Sequence, residues 1–83
     1  MTYELHRLAP GSYDLLLNGS IIGSVVQEIT PSGHKKGWSA ELLDDSSPER
    51  RPSPFIAAEH PFQSLDAVTA WLGGAAIVES AYA

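Results

Sequence analysis

The chain contains no cysteine, and this absence excludes two common ways of stabilising a small protein. Neither disulfide bonds nor thiolate-bound zinc can form. Small secreted domains usually depend on such cross-links, so we expect a reducing, cytoplasmic setting. Basic residues are also scarce, since 5 lysines and arginines against 10 aspartates and glutamates give a net charge of −5. This charge disfavours binding to nucleic acids and to anionic membranes.

Long apolar runs are missing as well. None reaches the roughly 18 residues that span a membrane, and residues 1–7 alternate in polarity instead of forming the apolar stretch of a signal peptide. The 83 residues, 43% of them apolar, suffice for one domain over 1–83 with one core. Large enclosed clefts are hard to build at this size, and no catalytic motif occurs, so we expect no enzymatic activity.

The clearest local signal is Asn18-Gly19, which lies between two segments rich in β-forming residues. This dipeptide supplies the two positive φ angles of a type I′ turn and predicts a hairpin over residues 13–29. Residues 3–8 predict a preceding strand, which ends before the turn at Pro10-Gly11. Residues 38–42 alternate in polarity like a further strand.

The second half of the chain predicts a polar loop, a short strand and one helix. Residues 44–54 contain three prolines and five charged side chains, which is typical of a solvated loop. Residues 55–59 predict the last strand. Ser64 is a suitable N-cap for a helix over residues 65–72, and the following Gly73-Gly74 is a suitable end for it.

Together these elements predict an α+β fold, in which an antiparallel meander of four to five strands has one C-terminal helix packed on one face. The tail, residues 75–83, stays open between a short helix, a strand and irregular structure. The apolar stripe of the helix and the alternating strand are expected to share a core formed by Trp38, Leu42, Leu65, Val68, Trp71 and Leu72.

Both faces of the central hairpin are predicted to be apolar if its strands pair without irregularity. One face then holds Leu15, Leu17, Ile22 and Val26. The other holds Leu16, Ile21, Val25 and Ile29. Because one short helix covers only one face, the other is expected to be buried by the tail, by a second copy of the chain or by a different protein.

Residues 61–72 resemble the end of many small β-then-α domains, among them some antitoxin-like and anti-CRISPR-like proteins. An aromatic strand residue, Phe62, precedes a capped helix that carries the aromatic Trp71 near its end. The likeness covers about a dozen residues and reflects generic packing. It implies an order of elements and assigns no functional residue.

The uncovered face makes association the leading functional hypothesis. We expect a small, non-catalytic protein-interaction module that acts through an apolar sheet face or a strand edge, as a homodimer or with a heterologous partner. One version is an acidic inhibitor of the phage-encoded or antitoxin kind that occupies a basic groove on its target. The predicted partner-binding residues are Glu41, Asp44, Asp45, Glu49 and Glu59. No cofactor is implied.

Two alternatives depend on other residues. A meander brings the ends of alternate strands to one sheet edge, which would gather His6, His34 and His60 as in a metal site or a small enzyme. No paired His-x-His or His-x-x-x-His spacing accompanies them. Lys35 and Lys36 offer a local phosphate contact, and so a weak nucleic-acid binder, but such binding normally needs a larger basic cluster. We assign no catalytic and no metal-binding residue.

Overall fold

The computed structural model describes residues 2–43 and 51–79, with Lys35 described by its backbone alone. Six strands and one helix follow each other along these residues. They are β1 (Tyr3–Ala9), β2 (Ser12–Leu17), β3 (Ser20–Ile29), β4 (Lys35–Leu42), β5 (Glu59–Phe62), α1 (Leu65–Trp71) and β6 (Ala76–Val78). The α+β class predicted from the sequence is confirmed. Among the described residues, no helix is long and apolar enough to cross a membrane.

The strands form one mixed sheet in the order β5-β4-β3-β2-β1-β6. Strands β1 to β5 make the predicted antiparallel meander. The prediction of a purely antiparallel sheet of four to five strands is wrong in its last step, because β6 lies parallel beside β1. The chain leaves β5 at one edge and crosses the sheet through α1 to the other edge. A crossover through a helix is the usual way to join parallel strands. In this chain it places Ala76–Val78, part of the predicted tail, beside β1 as a strand.

The hairpin turn forms as predicted, with positive φ angles of 51° at Asn18 and 87° at Gly19. Asn18 also ties the turn to the start of β1. Its side-chain Oδ1 accepts the backbone N–H of Thr2 at 3.0 Å, and its own N–H donates to the Thr2 carbonyl at 2.8 Å. The turn and the first strand therefore fix each other's position.

The register within this hairpin contains a β-bulge. Leu16 lies opposite Ile21 but Leu15 lies opposite Gly23, so Ile22 is an extra residue on β3. Beyond the bulge every side chain of β3 changes face relative to an unbroken pairing. Val25 is the register partner of Tyr13, which lies on the same face of the sheet as Leu15. Val25, and not Val26, is therefore on the face of Leu15. The predicted division of the hairpin faces is wrong for these two valines.

The face of the sheet that α1 crosses, here called the front face, carries the core. Its largest fully buried side chains are Leu5, Leu15, Val25 and Val68. Leu72 is buried beside them, and four other residues of the predicted core pack against this cluster while partly exposed: Trp38, Leu42, Leu65 and Trp71.

Phe55 joins the front core from an irregular segment, residues 51–58, that precedes β5. The predicted strand over residues 55–59 is wrong, since β5 begins at Glu59. The Phe55 ring lies edge-on to Trp71, with a centroid distance of 4.7 Å. β5 is an edge strand, which accommodates Pro61 because its missing N–H leaves no inner hydrogen bond unmade.

The helix begins and ends at the residues that local signals indicate. Ser64 is the N-cap, and its Oγ accepts the backbone N–H of Ala67 at 3.1 Å. Gly73 follows the helix with a positive φ of 82°, a conformation that glycine adopts without a steric penalty. Its N–H donates to the carbonyl of Ala70 at 3.0 Å. These caps satisfy backbone groups that a helix of this length leaves free at both ends.

Candidate functional site: the acidic back face

The side of the sheet opposite α1, here called the back face, is the candidate site. Strand alternation and register place on it Glu4, His6, Asp14, Leu16, Ser24, Val26, Glu28, Ser39, Glu41, Glu59 and Pro61. Both α1 and residues 51–58 pack on the front face, where Tyr3, Phe55 and Trp71 meet. The back face therefore lies on the opposite side of the sheet from both of these described segments.

Acidic residues are concentrated on the back face. Seven of the 10 acidic residues are described, because Asp44, Asp45 and Glu49 lie outside the described residues. Five of those seven are on the back face: Glu4, Asp14, Glu28, Glu41 and Glu59. The remaining two are Asp66 in the first turn of α1 and Glu79 after β6.

Arginines lie on the other side of the sheet. Arg7 is the register partner of Tyr13, a front-face core residue, and its Nη1 contacts Glu79 Oε2 at 3.4 Å. Arg51 belongs to the segment that covers the front face, and it donates to the carbonyl of Ile56 at 3.2 Å. The sheet thus separates the described arginines from most of the described carboxylates.

Glu41 and Glu59, two of the predicted partner-binding residues, lie directly opposite each other on β4 and β5. Side chains in such positions start about 5 Å apart, and like charges there destabilise a sheet. Neither carboxylate forms an ion pair with any residue that the structure describes. A bound cation would relieve this repulsion.

The three histidines do not come together. His6 on β1 and His60 on β5 are four strand spacings apart, about 19 Å, and on opposite faces of the sheet. A meander does bring alternate strand ends to one edge, but it spreads them across the width of that edge. Within the described residues, no three histidine or carboxylate side chains are grouped as metal ligands would be.

Each histidine instead has local partners. His6 Nε2 lies 3.4 Å from Glu4 Oε1 on the back face. His34 Nδ1 lies 3.0 Å from Ser32 Oγ in the loop before β4. His60 is on the front face, where its Nε2 accepts the backbone N–H groups of Ile56 and Ala57, each at 3.2 Å.

The two lysines begin β4, at an irregularity between Glu28 and Ile29 in the pairing of β3 with β4. Lys36 is exposed and lines a surface cavity together with Glu28 and Glu59. Its surroundings are acidic, whereas phosphate binding requires several positive charges close together.

Three of the back-face carboxylates, Glu4, Asp14 and Glu28, were missed in the sequence. Glu4 directly precedes the buried Leu5, and Asp14 directly precedes the buried Leu15. Strand alternation therefore places both carboxylates on the face opposite these leucines, which is the back face. Glu28 follows the bulge, where the face cannot be assigned without knowing the register.

Comparison with known proteins adds no assignment: no family model, no curated protein and no solved structure matches this chain.

Proposed function

We propose that this protein is a small binding module that holds a basic partner protein on its acidic back face. The single observation behind the proposal is the concentration of carboxylates there, with the unrelieved pair Glu41 and Glu59 near one edge. Complementary charge accelerates association and selects against wrong partners.

Apolar side chains accompany the carboxylates and give the face the composition of an interface. Leu16 is buried but does not belong to the front core, and its register partner Ile21 is 50% exposed. Val26 is the next residue of β3 after Ser24 whose side chain is on the back face. Protein interfaces commonly combine an apolar centre with a polar rim. These residues are what remains of the apolar face expected from the sequence.

A basic groove that normally holds nucleic acid is the partner surface we favour. Carboxylates spread over several strands would occupy positions that phosphates take in such a groove, and the chain would then act as an inhibitor. This version of the proposal predicts competition with nucleic acid, and not catalysis, as the activity of the protein.

The proposal is tested with a defined polycation. The ¹⁵N-labelled chain is titrated with octa-arginine and with octa-glutamate while backbone amide shifts are followed. We expect saturable shifts on the back face with octa-arginine only, and an affinity that falls as salt is added. The double substitution Glu41→Lys/Glu59→Lys should weaken binding by about tenfold or more, since it reverses two local charges.

The matched control is Asp66→Lys/Glu79→Lys, which changes the net charge by the same amount away from the back face. It should weaken binding much less than the back-face pair. Equal weakening by the two pairs, or amide shifts spread over both faces, would show non-specific attraction and contradict the proposal.

A further inference from the structure

A cavity of about 360 Å³ opens on the back face over the middle of β4. Glu28 on β3 lies to one side of it and Glu59 on β5 to the other, while Ser39 on β4 lies between them. Pro61, the register partner of Ser39, adds an apolar wall. The volume falls within the range of about 300–1,000 Å³ typical of small-ligand sites.

Ser39 is the unusual residue of this cavity. It is only 3% exposed, and it is the one buried polar residue of the described part of the chain. Its Oγ forms no hydrogen bond with any described residue. Buried hydroxyls nearly always have a partner, and a buried one without a protein partner calls for a specific explanation. A ligand group that donates a hydrogen bond into the cavity would supply this partner.

We propose that this cavity binds the guanidinium group of an arginine side chain presented by the partner protein. The inference rests on the proposed function and specifies which side chain the back face recognises. Ser39 Oγ accepts one guanidinium N–H at the floor of the cavity. Glu28 and Glu59 accept others from its two sides and neutralise the charge.

The spacing of the acceptors favours arginine over lysine. Glu28 lies beside Gly37 and Glu59 lies beside Glu41, so Ser39 is midway between them along β4. The two residues are about 10 Å apart across the sheet and about 13 Å apart along it, and their carboxylates approach a ligand at Ser39 from opposite sides. An ammonium group is a compact, strongly hydrated point charge. A guanidinium is planar and more weakly hydrated, and its five N–H donors serve several acceptors at once.

Lys36 also lines the cavity and opposes the binding of any cation. It is exposed, so its long side chain is able to keep its charge in water. Removal of the Lys36 charge is therefore expected to tighten binding. A binding mode in which the lysine held an anion would give the opposite result.

The test uses the full chain and single amino-acid probes. N-acetyl-arginine-N-methylamide, its lysine analogue and the neutral citrulline analogue are each titrated into ¹⁵N-labelled protein. We expect saturable shifts at the amides of Ser39 and its neighbours, strongest for arginine, weaker for lysine and absent for citrulline. Glu28→Gln and Glu59→Gln should each weaken arginine binding by about threefold, as for a partly exposed ion pair. Ser39→Ala should do the same, and Lys36→Gln should strengthen binding by about twofold.

Asp66→Asn is the matched control, because it removes one acidic charge from α1 and should leave the affinity for the arginine probe unchanged. Each variant is first checked for a native amide spectrum. Equal shifts with arginine and citrulline, or no response to Glu28→Gln, Glu59→Gln and Ser39→Ala, would overturn the arginine site. If octa-arginine still binds the back face and depends on Glu41 and Glu59, only this inference fails. If octa-arginine does not bind the back face, the proposed function fails.

Discussion

The hydroxyl of Tyr3 donates a hydrogen bond to the carbonyl oxygen of Ser53, 50 residues further along the chain, at 2.8 Å. Tyr3 is 5% exposed, and its ring centroid lies 6.4 Å from that of Phe55. This contact anchors residues 51–58 to β1 and thereby closes the front core. The association of the two segments is a consequence of the fold that no local pattern in the sequence expresses.

Tyr3→Phe removes this hydrogen bond and keeps the ring. We expect the free energy of unfolding to fall by about 0.5–1.5 kcal/mol, the usual net contribution of one such bond. Urea unfolding followed by circular dichroism measures the change. Tyr13→Phe is the control, since the Tyr13 hydroxyl forms no hydrogen bond with a described residue and its loss should matter less. Equal losses in the two variants would contradict a role for the bond to Ser53.

Burial raises the pKa of Tyr3 above its ordinary value of 10.0. The unfolded state therefore loses this proton at a lower pH than the folded state does. The resulting stabilisation is complete below about pH 10 and is lost as the pH rises through the pKa of folded Tyr3. Urea unfolding between about pH 8 and pH 11 should show a falling free energy of unfolding. Tyr3→Phe should make this alkaline decline shallower, and an unchanged slope would contradict the assignment.

Trp71 lies at the centre of an aromatic cluster. Its ring is 4.7 Å from Phe55, 4.8 Å from His60 and 5.0 Å from Phe62 between centroids. Trp71→Ala should lower the free energy of unfolding by about 3–5 kcal/mol and abolish the cooperative thermal transition. Trp71→Phe, which keeps an aromatic ring, should retain a cooperative transition at a lower temperature. A transition of Trp71→Ala close to that of the original protein would refute this packing.

His60→Ala tests whether the histidines have structural or ligand-binding roles. The substitution deprives the N–H groups of Ile56 and Ala57 of their acceptor and removes the ring packed against Trp71. We expect a loss of about 1–3 kcal/mol. His34→Ala, in an exposed loop, should change stability by less than about 0.5 kcal/mol. Thermal unfolding of both variants checks this, and equal effects would contradict the structural role of His60.

Features with a local chemical cause could be predicted from the sequence. The Asn18-Gly19 turn, the Ser64 cap and the glycine end of α1 depend on residues only a few positions apart. The parallel pairing of β6 with β1 could not be predicted in the same way. It joins Leu5 to Ile77 across the whole length of the chain, and a three-residue strand carries no periodicity of its own.

The residues of the back face, too, could be predicted only in part from the sequence. The sequence predicts Glu41 and Glu59 as acidic partner-binding residues, but only the register shows that they lie opposite each other. Ser39 could not be identified at all, because a serine in an alternating strand is ordinarily solvated. In the structure it is buried and has Val26 on β3 and Pro61 on β5 as its register partners.

Gly23 directly follows the extra residue of the bulge, Ile22, and its substitution tests how closely β3 approaches β4. A Cβ atom on Gly23 would overlap the carbonyl oxygen of Glu41 on β4, so only glycine allows the two strands to approach here. Beside it, the carbonyl of the extra residue Ile22 accepts the N–H of Leu43 at 2.9 Å. An isolated glycine within a strand pattern is the one sequence signal that indicates such a bulge.

Gly23→Ala should therefore lower the free energy of unfolding by about 2–4 kcal/mol, because backbone atoms cannot move aside as a flexible side chain does. Ser24→Ala, one residue further on the back face, should change it by less than about 0.5 kcal/mol. Urea unfolding of the two variants gives the comparison. A Gly23→Ala variant as stable as Ser24→Ala would mean that β3 and β4 do not approach this closely.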